Sequence, residues 1–284
     1  MDDRQTTLLT ARRILLQRLE SLHRSGIQQL ARGKGVSPAL TSHGSPNEAL
    51  QAAAIPRTPI PSPGSRTPSP SPLSRAMPSL TDPYPTDLPA SLADRQNLLE
   101  TLNAEVRSCT LCRDLACTRK QTVFGVGNAK PRVVFFGEAP GADEDRLGEP
   151  FVGRAGQLLT KIIEACGWQR SDVYIMNVLK CRPPDNRNPL PSETDNCRPF
   201  FERQFEILRP EYIVCVGTVP AQALLETKES VGKLRGRFHR YRDSHVLVTY
   251  HPSYLLRNPS AKKYVWDDMQ MLLKEMGLPI PRKQ

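Results

Sequence analysis

"RVVFFGEAPGADEDRLGEPFVG", Arg132 to Gly153, sets an unbroken apolar run against a turn crowded with glycine, proline and acids. Val133 to Phe136 leave no polar face for solvent, so the run reads as a strand covered on both sides. Three runs of the same kind follow: Val173 to Met176 (VYIM), Tyr212 to Val216 (YIVCV) and His245 to Tyr250 (HVLVTY). Helical spacing is expected over 154–167, 192–208, 218–226 and 260–276. Strands alternating with helices of that length build βαβ units, whose crossovers cover both faces of a parallel sheet. The reading is an α/β fold, a three-layer α/β/α sandwich with a central, mostly parallel four-stranded sheet.

Open parallel sheets bind ligands outside the carboxyl ends of their strands. The segments leaving the four runs are GEAPGADED (137–145), NVLKCRPPDNRNP (177–189), GTVPAQ (217–222) and HPSYLLRN (251–258). Three of them are crowded with Pro, Asn, Asp, Glu or His, so polar groups from separate strands are expected to converge on one edge. Asp143, Glu144 and Asp145, in a turn before a helix, read as caps or solvated charges more readily than as chemistry.

The rest of the chain divides by composition. Residues 1–35 carry Leu8, Leu15, Leu19, Leu22 and Leu30 at roughly helical spacing among arginines, which reads as an amphipathic helix that could dock a protein partner. Residues 36–92 hold 13 of the 27 prolines, many in S-P or T-P pairs, and such a tract buries too little apolar surface to offset chain entropy, so it reads as a disordered linker. The folded domain is expected over 93–284. Across the 284 residues, 39 lysines and arginines stand against 29 acids, a balance that favours a polyanionic partner such as nucleic acid. No apolar stretch reaches the roughly 18 residues of a membrane-spanning helix, and the acidic start MDDRQ has no signal-peptide core. The expectation is a cytoplasmic monomer associated with the nucleoid through DNA, with no membrane partner.

Seven cysteines are present, an odd number that speaks against a disulfide framework. Cys109 and Cys112 precede the first strand, and Cys181 and Cys197 follow the second. Two thiolate pairs brought together by the fold give a four-sulfur site suited to zinc or to an iron-sulfur cluster, and spacing alone separates neither. Cys117 makes a local triplet with the first pair, and the set without it is preferred. Cys166 and Cys215 read as ordinary buried thiols.

GEAPG (137–141), GEPFVGRAG (148–156), NVLKCRPP (177–184) and YHPSYLLR (250–257) resemble, in order and spacing, the family 4 uracil-DNA glycosylases, which carry an iron-sulfur cluster. The resemblance covers about 95–280. It implies a 4Fe-4S cluster on Cys109, Cys112, Cys181 and Cys197, and an enzyme that hydrolyses uracil from DNA for base-excision repair. Relatives that trap the sugar covalently carry a basic loop with a histidine after the second strand, and KCRPPDNRNP (180–189) has none. A non-catalytic iron-sulfur DNA-binding module and a zinc-bound nucleotide hydrolase are the rival readings.

What the resemblance implies for single residues follows the same motifs. Gly137 and Glu138 belong to the uracil pocket, with Glu138 near the attacked carbon although Ala139 follows where the better-known family 1 enzymes have an aspartate. Phe151 stacks on the flipped base, Asn177 matches the uracil edge, and His251 supports the departing base as charge builds on it. Catalysis is expected from Glu138 and His251. DNA grip is expected from Arg154, Lys180, Arg182, Lys233, Arg235, Arg237 and Arg257, with Leu255 or Leu256 as a wedge into the gap left by the base.

Overall fold

A computed structural model of the chain describes residues 82–85 and 91–281. The amphipathic segment over 1–35 and most of the proline-rich tract lie outside the described residues.

Six strands form one sheet. Two-residue β1 (Val126–Gly127) pairs antiparallel with β3 (Tyr174–Asn177). β3, β2 (Val133–Gly137), β4 (Tyr212–Val216) and β6 (Ser244–Thr249) run parallel in that order. β5 (Phe238–Tyr241) closes the far edge antiparallel to β6. The four parallel strands are the four apolar runs of the sequence; the expected four-stranded sheet gains two antiparallel edges.

Because all of β2 is buried, its side chains divide between two cores. Val134 and Phe136 face α1 (Leu92–Ser108) and α5 (Pro191–Leu208), where the Phe136 ring lies 5.3 Å from Phe201 and 5.2 Å from Phe205. Val133 and Phe135 face the other layer, with Leu159 and Ile163 from α4 (Arg154–Ala165) and Val265, Met269 and Leu272 from α9 (Lys262–Glu275). Between these lie α2 (Arg113–Thr118), α3 (Ala142–Leu147), α6 (Thr218–Leu225), α7 (Val231–Leu234) and α8 (Pro252–Arg257). Among the described residues no helix is long and apolar enough to cross a membrane.

The boundary of the folded body differs from the expectation at 93. Tyr84 is 6% exposed and belongs to the core beside α1 and α5. Its hydroxyl lies 2.8 Å from Ser244 Oγ, its backbone N–H donates to Asp243 Oδ2 at 2.9 Å, and the Arg209 guanidinium donates to the Pro85 carbonyl. Arg242 stands over the Tyr84 ring at 5.5 Å. These contacts lie at the amino-terminal end of β6, so they brace the fold at the sheet edge opposite the strand exits. A chain starting at Ser91 is therefore expected to be less stable than one starting at Asp82 by about 2 to 4 kcal/mol; equal denaturation midpoints would contradict this anchoring.

Candidate functional site

The register that aligns Gly137 with Asn177 and Val216 with Thr249 delivers four strand exits to one edge. They open onto a cavity of about 810 Å³ lined by Glu138, Phe151, Asn177, Tyr250, His251 and Arg257, among others. The expected convergence is present, and it gathers Gly137, Glu138, Phe151, Asn177 and His251.

Asn177 ends β3, is 2% exposed and lines the cavity. Its Oδ1 is buried without a hydrogen-bond partner. Leaving such a group unmatched costs about 1 to 3 kcal/mol, so the amide is held ready for a ligand that can pair with it. Gly137 makes the approach possible, since a Cβ there would collide with Asn177 Oδ1 and the Phe151 ring.

Phe151 adopts φ 54°, a left-handed backbone that costs a bulky residue about 1 to 3 kcal/mol. The surrounding chain imposes it. Gly156, in the first turn of α4, has no Cβ because one would run into the Phe151 backbone. The Glu144 carboxylate accepts from Val152 and Gly153 N–H, each at 2.9 Å, while its other oxygen accepts from Gly141 N–H at 3.1 Å. One side chain therefore joins the exit of β2 to the loop that carries Phe151. The neighbouring acid is also connective: buried Asp145 accepts from Lys120 N–H at 2.9 Å. Asp143 is exposed and pairs with Arg146 at 3.3 Å. None of the three supplies a free carboxylate to the cavity; they lie in the first turn of α3 and not in a turn before a helix.

His251 caps α8. Its Nδ1 accepts the Ser253 backbone N–H at 3.1 Å and lies 2.7 Å from Ser253 Oγ. A backbone N–H can only donate, so Nδ1 carries the lone pair and the neutral ring holds its proton on Nε2. Burial, with the Arg257 charge adding to it, pushes the pKa down to about 4, and the imidazole is neutral at pH 7. Its ring centroid lies 5.7 Å from that of Phe151 with the planes 36° apart. Glu138 is partly buried at the cavity wall, and burial raises its carboxyl pKa.

The loop after β3 forms another wall. Asp185 and Asn186 both take left-handed backbone, at φ 54° and 53°. Arg187 holds this loop through a bidentate pair with Glu193, at 2.8 and 2.6 Å, and Glu193 also accepts from Leu190 N–H at 2.8 Å. Sequence reasoning passed over this pair, although a glutamate three residues after the N-cap of α5 is a recognisable capping signal.

Cys109 follows α1, Cys112 precedes α2, Cys181 leaves β3 and Cys197 sits on α5. All are free thiols. Two side chains draw the four toward one neighbourhood, Arg119 reaching Cys181 and Cys109, and Asn196, next to Cys197 in the chain, reaching Cys112. Arg119 donates to Cys181 Sγ at 2.9 Å and to the Cys109 carbonyl at 2.7 Å, and Asn196 Nδ2 donates to Cys112 Sγ at 3.4 Å. Donors aimed at sulfur suit thiolate ligands. Among the described residues no three His, Cys, Asp or Glu side chains are gathered as they would be around a single ion. Cys117 is exposed, while Cys166 and Cys215 are buried elsewhere.

Several residues expected to meet DNA are placed otherwise. Lys180 is 1% exposed and reaches inward, so it has no access to a phosphate. Leu255 is 1% exposed and packs in the core; the neighbouring Leu256 is the exposed one. Arg235 is committed to buried Asp268 through two bonds, at 3.1 and 2.8 Å. Lys233 pairs with Glu229 at 3.0 Å but stays exposed, so it keeps access to a phosphate. Arg182 donates to Asn186 Oδ1 at 2.9 Å, while Arg154, Arg237 and Arg257 are exposed.

A family model described as the Uracil DNA glycosylase superfamily matches residues 124–270. A type-4 uracil-DNA glycosylase of Thermotoga maritima is 43% identical over 180 residues, covering 62% of this chain and 93% of that protein. Those of Archaeoglobus fulgidus and Saccharolobus solfataricus are 41% and 42% identical over 191 and 188 residues. They cover 64% and 63% of this chain, and 96% and 87% of those proteins. With these relatives spanned nearly end to end, the chain belongs to the uracil DNA glycosylase superfamily and to its type-4 family.

Proposed function

We infer that the cavity removes uracil from DNA by hydrolysing its N-glycosidic bond, leaving an abasic site for base-excision repair. The observation that carries this reading is the unpaired Asn177 amide beside a stacking ring, with a neutral histidine across the same cavity. The names of the type-4 relatives support it.

A base inside a duplex offers no access to its glycosidic carbon, so the nucleotide must swing out into the cavity. Phe151 presents a flat apolar face to the extruded ring. Asn177, with one acceptor and two donors, matches the N3–H and O4 edge of uracil. Cytosine reverses that edge and leaves buried groups unpaired. As the bond to the sugar breaks, negative charge moves onto the base, and the Nε2–H of His251 donates to uracil O2. A preaimed neutral donor in a water-poor pocket contributes about 3 to 4 kcal/mol to such a step. Glu138, as the carboxylate, offsets positive charge on the sugar and orients the attacking water. Ala139, next to it, has no polar group to share that work.

The thiols of Cys109, Cys112, Cys181 and Cys197 are the set that would hold a 4Fe-4S cluster, whose role here is to cross-link the end of α1, the loop after β3 and α5. Arg154, Arg182, Arg237 and Arg257 are proposed to grip phosphates collectively, so binding should weaken steeply with salt. Leu256 is the candidate wedge. The working state proposed is a monomer on nucleoid DNA in the cytoplasm.

Incubation with an oligonucleotide carrying one uracil, then hot alkali, is expected to cut the strand at that position; no scission beside an active control overturns the reading. Glu138→Gln should lower kcat by roughly 100-fold or more. Because burial raises the Glu138 pKa and the carboxylate is the working form, activity should fall as pH drops through a value above the ordinary glutamate range near 4.3. Glu138→Gln should abolish that acid limb. The folded-state pKa lies above the unfolded one, so the ionised group costs stability once pH exceeds the unfolded value. The same variant should therefore be at least as stable as the parent at pH 7, and a clear loss of stability would contradict this assignment.

A further inference from the structure

Lys180 lies between the cysteines and the base cavity. Its side chain is fully buried, yet its Nζ donates to the Asn177 carbonyl at 2.8 Å. Its backbone runs directly into Cys181, and its carbonyl accepts from Val123 N–H at 2.8 Å. The buried Phe124 ring closes the other side, with Nζ over it at 6.0 Å from its centroid. Among the described residues no carboxylate is paired with this ammonium; the groups that would oppose its charge, once they are thiolates, are Cys197 and Cys181.

Burying an ammonium is costly unless an anion compensates it, and a methionine of similar length would fill the same space without that cost. A lysine at this position is understandable where thiolates ligating a metal group supply the missing negative charge. The other end of the side chain explains the reach. By gripping the Asn177 carbonyl, Nζ fixes the last peptide of β3, and with it the base of the side chain that enters the cavity.

We propose that Lys180 is a positioning residue coupling the four-cysteine site to the base pocket: its ammonium balances the thiolate charge and holds the strand end that carries Asn177. The inference rests on the reading of the cysteines as a cluster site and of the cavity as a uracil pocket. It gives the cysteine site a route to catalysis that needs no electron transfer. Loss of the anionic group would leave the ammonium uncompensated, and the grip on Asn177 would loosen.

Full-length wild type, Lys180→Met and Lys180→Gln can be compared with Leu102→Ala, which loses packing in the same core without removing a charge. A positive charge beside a thiolate-bound cluster favours its reduced form, so Lys180→Met should have a more negative reduction potential. It should also lose iron to a chelator about tenfold faster and show kcat for uracil release down about tenfold with KM little changed. Lys180→Gln keeps a donor but no charge, and should share the shift in potential while retaining more of kcat. Leu102→Ala should keep both the potential and kcat.

Unchanged potential and kcat in Lys180→Met, or the same changes in Leu102→Ala, overturn the inference. A wild-type protein that holds no iron or releases no uracil overturns the underlying reading instead. If neither lysine variant folds around iron, hydrogen exchange on wild type before and after iron removal decides. Protection lost at Asn177 and Val178 but kept at Val214 supports the coupling, and protection unchanged at all three overturns it.

Discussion

Phe151 is a bulky aromatic residue held at φ 54°, where a side chain ordinarily clashes with its own backbone, and the site is built around keeping it there. That conformation turns the ring across the exit of β2, toward Gly137 and His251. Its cost, about 1 to 3 kcal/mol, is offset by neighbours that leave it no alternative. Glu144 holds the two amides that follow, Gly156 makes room for its carbonyl, and Gly137 makes room for its ring. Among the acids between the two glycine-rich motifs, Glu144 thus has an explanation in packing: it clamps the halves of the pocket together.

The second constraint comes from the strand beside it. Asn177 brings an unpaired amide into the cavity at the end of β3, and the next four residues lead straight to Cys181. The proposed recognition residue and the cysteine site are therefore separated by one short loop, in which Lys180 adjoins Cys181 and its Nζ donates back to the Asn177 carbonyl. A cluster on these cysteines would stiffen, close to the residue proposed to read the base, a loop that has left the sheet. The paired Arg187 and Glu193 act on the far half of the same loop.

The four parallel strands were legible because each is a continuous apolar run, and the strand exits because the topology of such sheets fixes where they meet. The edges were not. β1 has two residues, and β5, half exposed, has no run of buried side chains. Tyr84 was hidden by its surroundings, since a proline-rich average masks one aromatic anchor. Leu255 and Leu256 are one residue apart, which on a helix is a rotation of about 100°, and only the structure tells which of them is inside. Lys180 shows the sharper limit. A lysine after a strand reads as a surface charge, and what reverses the reading is its burial under Phe124 and its bond to the Asn177 carbonyl, contacts that no local pattern announces.

The central claim is that this cavity recognises a free-swinging uracil by pairing with its edge. Titration calorimetry of free uracil and free cytosine into the wild-type protein tests it most directly, without dependence on strand chemistry. The account requires uracil to bind and cytosine to bind about tenfold more weakly or worse, since at least one buried group is left unpaired. Equal affinity for the two bases would contradict it.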